Sequence, residues 1–327
     1  MSLENIQDLV QNNRNLLPDD VDFARYFQQS KHSTIIVQGS HFIEETKQRI
    51  ANSHARIGAT LPFQKTHDDL LFNSGVSVWA GINGHGKSTM LFQVCIGLQK
   101  QGHTVCIASV EMEGPEILKT MTNQAAGCKA SPDFAETYAN WAGERLQIYN
   151  ASGETRQEDM LGAIIWAADN RNVTHFVVDN LMMLTDGDIG ERAMNSQKYF
   201  VSRCKDIARD KKIHIHIVHH MRKIEDERKV PSKMDVMGGI SISNLVDYLF
   251  IVWKNKDRAR HMAVPERFRT SNPELEQMPG AYLICDKNRS TGVERTYGLW
   301  FDTDSQQFLD GIKKRPTPMI ENTAENR

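Results

Sequence analysis

Residues 76–88 read VSVWAGINGHGKS, and the helical run TMLFQVCIGLQKQG follows at once. Within them Gly81-Ile82-Asn83-Gly84-His85-Gly86-Lys87-Ser88 fits the pattern G-x-x-x-x-G-K-[ST]. The flanks carry as much weight as the pattern. A strand that feeds a glycine-rich loop into a helix amino terminus aims backbone N–H groups at phosphate oxygens. Gly81, Gly84 and Gly86 allow the loop to curl, Lys87 would reach the β and γ phosphates, and the Ser88 hydroxyl would ligate Mg²⁺, with Thr89 opening the helix behind them. The segment therefore predicts a site for a nucleoside triphosphate, ATP or another such as dTTP.

On either side of this loop, short β-branched runs alternate with helical patterns. The runs are VSVWA at 76–80, TVCIASV at 104–110, HFVVD at 175–179, IHIHIV at 213–218 and YLFIVW at 248–253. The segments between them are long enough to cross over a sheet, which predicts an α/β fold with a twisted, mostly parallel sheet flanked by helices. After residue 280, AYLICDKNRSTGVERTYGLWFD predicts an antiparallel hairpin at the sheet edge. Three regions follow: a leader with one amphipathic helix over 1–57, in which Phe42, Ile43, Ile50 and Ile57 sit near helical spacing; an ATPase domain over 58–310; and a tail over 311–327, rich in polar residues and expected to be disordered. Residues 254–279 form a long polar stretch, expected to be a surface insertion.

Composition narrows the classes. No run approaches the eighteen or so apolar residues of a membrane span, and the amino terminus lacks the order of a signal peptide. The five cysteines are scattered without a C-x-x-C pair, so the expectation is a chain in a reducing cytoplasm, with no disulfide framework and no membrane partner. A net charge of −2 across 327 residues gives no bulk attraction to nucleic acid, so contacts to DNA would have to be local, as in loops lining a ring.

Three further groups bear on the γ-phosphate. Asp179 ends an apolar strand, where a carboxylate lies beside the phosphate loop and can hold Mg²⁺. Glu111 follows TVCIASV in the same way and could deprotonate an attacking water. In IHIHIVHH, no cysteine or acidic partner has metal-ligand spacing to the histidines, so His220 is read as a strand-end hydrogen-bonding partner of the γ-phosphate, while His214 and His216 are expected on the polar side of the strand near a subunit boundary. The segment from Met221 to Gly239 carries Arg222, Lys223, Arg228, Lys229 and Lys233 among acidic residues. Mixed charge of this kind is by itself as consistent with a solvated loop as with a DNA contact.

In this order, and over residues 75–302, the segments resemble the DnaB-type hexameric replicative helicases of bacteria and phages, closest to the helicase half of phage primase-helicases. SVEME at 109–113 resembles the segment of the catalytic base, Glu111; HFVVDNLMML resembles the metal-holding segment, with Asp179; and HIVHHMRK resembles the strand that senses γ-phosphate, with His220. KMDVMGGISISNLVDYLFIVW resembles the segment of a DNA-contacting loop, with Gly238 and Gly239 at its turn. CDKNRSTG matches a K-x-R hairpin whose members, Lys287 and Arg289, would enter the neighbouring subunit's site. The resemblance implies a RecA-like core, a homo-oligomer that closes as a hexameric ring, single-stranded DNA as track, and 5′ to 3′ movement in a bacterial cell or infected host. Residues 1–74 are too few for the folded amino-terminal or primase domain common there, which would leave loading and priming to a separate primase, polymerase or loader. Competing readings on the same fold are a recombinase or clock-type ATPase that assembles without unwinding, and a non-enzymatic loader.

Overall fold

The computed structural model describes residues 38–51, 58–150, 155–184, 191–222 and 226–320. They fall into two compact units, Met1–Arg56 and Ile57–Arg327. In the first, a single 3₁₀ turn leads into α1 (Ile43–Ala51), and Phe42, Ile43 and Ile50 are exposed. The leader over 1–37 and positions 52–57 of the expected helix lie outside the described residues.

The second unit is built on nine strands: β1 (Gly75–Gly81), β2 (Val105–Ser109), β3 (Leu146–Ile148), β4 (His175–Asp179), β5 (His214–His220), β6 (Tyr248–Lys254), β7 (Ala281–Asn288), β8 (Arg295–Phe301) and β9 (Phe308–Leu309). Their order across the sheet is β3-β2-β4-β5-β1-β6-β7-β8-β9. All pairings from β3 to β6 are parallel, and those from β6 to β9 are antiparallel. The crossovers are made chiefly by α2 (Lys87–Lys100), α3 (Gly114–Ala126), α4 (Pro132–Ala142), α5 (Gln157–Arg171), α6 (Glu191–Lys211) and α7 (Gly239–Leu245). No helix among the described residues is long and apolar enough to cross a membrane.

Strand alternation divides the core in two. Trp79, Val177, Val218 and Phe250 face a layer that includes Met90, Leu91 and Val94 of α2 and Met121 of α3. Val76, Val78, Val178, Ile215 and Ile217 face the other way, against Ile164 of α5, Phe200 and Cys204 of α6, and Ile242 of α7. The segment 58–73 completes the first layer by burying Leu61, Phe63, Leu70 and Phe72. It is tied to the β7–β8 hairpin through Asp69, whose carboxylate accepts from Arg295 at 2.7 Å and from Tyr297 at 2.8 Å.

Two expectations are corrected here. The tail is not unpacked from residue 311: Ile320 is buried, Met319 N–H donates to the Ala125 carbonyl, and Gln307 Nε2 donates to the Thr317 carbonyl. Ordered packing runs to 320, because two apolar residues after the prolines find a place against α3, and only 321–327 of the tail lie outside the described residues. Nor do His214 and His216 sit on an exposed face: both are buried. His216 Nδ1 meets Ser77 Oγ at 2.9 Å, and its Nε2 meets His175 Nδ1 at 3.0 Å. His214 donates from Nδ1 to the Asn73 carbonyl at 2.6 Å, which leaves its Nε2 as a buried lone-pair nitrogen with no partner. Phe72 closes the cluster, its ring 4.7 Å from that of His214.

This cluster is held neutral. Burial lowers His214 to about 4 and pushes His175 and His216 well below the ordinary histidine value, the latter two assisted by neighbouring histidines. Unfolded histidine titrates near 6.5, so between that value and the folded one the unfolded chain binds protons that the folded chain refuses. Stability is therefore complete above about pH 6.5 and is lost as pH falls toward 4. For His214 alone the loss amounts to roughly 2 kcal/mol at pH 5. Denaturant unfolding at about pH 7.5 and about pH 5 should show a clearly lower midpoint in acid. Identical midpoints would contradict a neutral buried cluster.

Candidate active site

The phosphate loop follows β1 without a spare residue. Gly81 passes so near β6 that a Cβ there would lie 2.5 Å from the Val252 carbonyl oxygen. Gly84 and Gly86 hold φ of +75° and +88°, left-handed values that a side chain would strain. Gly86 then caps α2, whose first residues are Lys87, Ser88 and Thr89. Asn83 and Gly84 are exposed at the tip, Ile82 leans on the second core layer, and the Thr89 carbonyl is held by Gln124 Nε2 at 2.8 Å. Lys87 is buried and folds back on the loop, with Nζ 3.0 Å from the Gly81 carbonyl and 3.3 Å from that of Ile82. Burial lowers its pKa, against the opposing pull of Asp179 and Glu111.

Register brings the partners to the same edge. Gly81 lies opposite His220 on β5, and Ser109 of β2 lies opposite Asp179 of β4. Asp179 is 1% exposed, and neither carboxylate oxygen has a hydrogen-bond partner. Burial raises it to about 6; the Ser88 hydroxyl close by works in the opposite sense, Glu111 raises it further, and Lys87 lowers it. A buried carboxylate with vacant lone pairs beside a hydroxyl is the donor set a hard divalent cation such as Mg²⁺ requires, so Asp179 and Ser88 fit the metal site expected of them.

Beyond β2, Ser109 Oγ accepts from Met112 N at 3.0 Å, a turn that swings Glu111 over the edge. There Asn180, fully buried, donates from Nδ2 to Glu111 Oε1 and also lies 2.7 Å from His220 Nε2. His220 Nε2 is itself 3.5 Å from Glu111 Oε1. Burial lowers the His220 pKa, Lys87 adds to this, and Glu111 opposes it. Glu111, Asn180 and His220 thus form one hydrogen-bonded group facing the phosphate loop. Asn180 was not among the residues expected from sequence; its only signal was its place directly after Asp179.

His85 of the loop is also buried. Its Nδ1 accepts from the Lys254 N–H at 3.1 Å, and its Nε2 lies 3.9 Å from Glu227. Burial and the surrounding lysines Lys256, Lys87 and Lys254 lower its pKa to about 4.

The basic residues expected on the 221–239 segment divide. Arg222 and Lys229 are exposed. Arg228 is spent in a two-point pair with Asp226, at 2.8 and 3.0 Å, and Lys233 pairs with Asp286 and Glu294, both at 3.6 Å. Lys223 lies outside the described residues. Gly238, at φ +82°, caps α7, which begins at Gly239, and His219 Nε2 joins the same stretch through the Met237 carbonyl at 2.8 Å.

Lys287 and Arg289 do not reach this site in their own chain. Ala80 of β1 lies opposite Ile251, which lies opposite Ile284, so the phosphate loop is level with the early part of β7. Lys287 is opposite Leu249, toward the other end of β6. At ~3.3 Å per residue this is on the order of 10 Å along the strands, with Arg289 farther still. Both project toward the turn between α7 and β6: Lys287 Nζ donates to the Ser243 carbonyl at 2.5 Å, and Arg289 donates to the Asn244 carbonyl at 3.0 Å and to Asp247 at 3.3 Å.

Comparison with known proteins bears on the fold and the family. The AAA domain family matches residues 47–226. Among solved structures, an ATPase domain superimposes with a TM-score of 0.66 at 14% identity, covering 84% of this chain and 99% of that one. A DnaB-like replicative helicase, solved for its interactions with primase, gives a TM-score of 0.65 at 14% identity, covering 94% of this chain and 75% of that one. The fold is thus the one these proteins share, with the mostly parallel sheet and antiparallel edge expected from sequence, extended by β3 and β9 to nine strands among the described residues. With a family match over more than half its length, the chain belongs to the AAA domain family.

Proposed function

We propose that this protein is a Mg-ATP-dependent DNA helicase that assembles as a ring, moves along single-stranded DNA in the 5′ to 3′ direction and separates the duplex ahead. One observation carries the ring: Lys287, near the end of β7, and Arg289, in the turn that follows it, are both held on the carbonyls of the turn between α7 and β6, away from their own phosphate loop. A site so equipped is completed by a second copy. The similarity of fold to a solved ATPase domain and to a DnaB-like replicative helicase supports the same class, and the second comparison makes a separate primase a natural partner.

In this reading the N–H groups of Ile82–Thr89 cradle the phosphates, and Lys87 leaves the Gly81 and Ile82 carbonyls for the β and γ oxygens. Ser88 and Asp179 hold Mg²⁺, which when bound neutralises phosphate charge. Glu111 takes the proton of the attacking water, with Asn180 fixing the direction of its carboxylate. His220, neutral and joined to Asn180, registers whether a γ-phosphate is present, and the chain beyond it carries that state into the 221–239 segment. Arg222, Lys223 and Lys229 then serve a strand backbone, together with Arg228 and Lys233 once released from their carboxylates, and the turn at Gly238 and Gly239 lets the segment shift. Lys287 and Arg289 of the adjacent copy stabilise the charge that develops on the transferring phosphoryl group.

Two measurements test the proposal. Arg289→Ala should bind nucleotide normally but lose about 10³-fold or more in turnover, and Lys87→Ala should lose phosphate binding. Mixed together, these two inactive proteins should regain measurable ATPase, because some interfaces then pair an intact Lys87 with an intact Arg289; mixtures that stay inactive would rule out the shared site. Asn180→Ala should lower kcat by about one to two orders of magnitude with little change in KM for ATP. A parallel rise in KM would assign Asn180 to binding rather than to orienting Glu111.

A further inference from the structure

Residues 254–269, KNKDRARHMAVPERFR, hold Lys254, Lys256, Arg258, Arg260, Arg267 and Arg269 against only Asp257 and Glu266. Nothing in the mechanism above uses them. This insertion between β6 and β7 is built, not slack. It consists of α8 (Lys256–Ala263), a 3₁₀ turn over Glu266–Phe268 and α9 (Pro273–Gln277). Asn255 and Asn272 cap the two helices, and His261 joins Glu276 at 2.8 Å between them. Arg269 fastens the connecting turn by donating to the carbonyls of Met262 at 3.2 Å and Val264 at 3.0 Å.

The effect of this scaffolding is to hold Phe268 out in water at 68% exposure, with the Arg267 guanidinium 4.7 Å from its ring centre. A large aromatic displayed on a fastened turn, next to exposed Met262 and Val264, calls for an occupant. The surrounding charge selects a polyanion, and the ring selects a partner with flat aromatic faces. Single-stranded nucleic acid offers both, whereas in a duplex the base faces are already stacked. Location agrees: the insertion leaves β6 at its phosphate-loop end, where Lys254 N–H donates to His85 and Lys256 pairs with Glu227 of the 221–239 segment.

We infer that Phe268, with Arg267 beside it, is a base-stacking platform for single-stranded DNA, joined to the 221–239 segment through the Lys256–Glu227 pair. The inference rests on the single-strand motor reading and adds to it a contact that reads the base face instead of the backbone alone.

The test uses the full chain with Mg²⁺, a non-hydrolysable ATP analogue and a labelled oligo-dT, followed by anisotropy. Phe268→Ala should weaken strand binding about tenfold, with assembly mass by light scattering and DNA-free ATPase unchanged. Phe268→Trp should bind as wild type, and its added indole emission should be quenched by the oligonucleotide. Wild-type affinity in Phe268→Ala would overturn the platform while leaving the motor reading intact. Loss of assembly in that variant would also overturn it, by making the patch a contact between subunits. Failure of the wild-type protein to bind the strand at all would overturn the motor reading, and the platform with it.

Discussion

The parallel register of β2, β4, β5, β1 and β6 is the constraint on which everything else depends. Each of β1 and β4 is buried along its whole length, so a one-residue slip would exchange its two faces between two differently shaped cores. Trp79 would be driven from the α2 layer into the α6 layer, and Ser77 would lose His216. Because slippage is so costly, the strand ends are fixed to within an ångström or so, and the residues just past them inherit that precision. Gly81, Asp179, Glu111 and His220 come from four separate strands yet face one another, since the apolar runs before them can pair in only one way.

That same logic explains what sequence could and could not reveal. The phosphate loop, five of the strands and the β7–β8 hairpin were legible because each is announced by a local pattern: period-two or continuous apolar runs bounded by turns. β3 and β9 were not. Leu146–Ile148 is a short, half-buried edge strand, and Phe308–Leu309 has two residues, so neither holds enough periodicity to register. The stretch 311–320 looked unpacked because prolines and lysines outnumber its apolar residues; its order comes from Ala125 and Gln307, which only the fold brings near. Alternating histidines were misplaced for a related reason. Period two shows that His214 and His216 share a face, but it does not show which face, and a neutral imidazole satisfied by Ser77, His175 or a carbonyl can be as buried as a valine.

Charge in the candidate DNA segment is legible in sequence only as a mixture, equally consistent with a solvated loop and with a DNA contact. The pairing within it comes from the fold: the Asp226 carboxylate holds Arg228, and Asp286 and Glu294 of the far hairpin hold Lys233. The Lys233 pairs cross about fifty or sixty positions of sequence, beyond the reach of any pattern rule. They also join the segment after His220 to the strand that carries Lys287, so the two halves of the proposed shared site are mechanically connected within one chain.

The contacts that Arg289 makes within its own chain are ones it can leave at little cost. Its pair with Asp247 is long, at 3.3 Å, and the guanidinium side chain is 48% exposed, so the contact orients the group without holding it firmly. Exposed pairs of this kind are worth about 0–1 kcal/mol, well below a charge-assisted, two-point contact with a phosphate. Asp247 is not stranded when Arg289 leaves, because Lys205 of α6 lies 3.4 Å away and the backbone N–H of Val76 donates to the other carboxylate oxygen at 3.0 Å. Uncompensated burial of a carboxylate would otherwise oppose the exchange by several kcal/mol. With that cost removed, Arg289 can leave Asp247 and Asn244 without disturbing the fold of its own domain, as the proposed shared site requires of it.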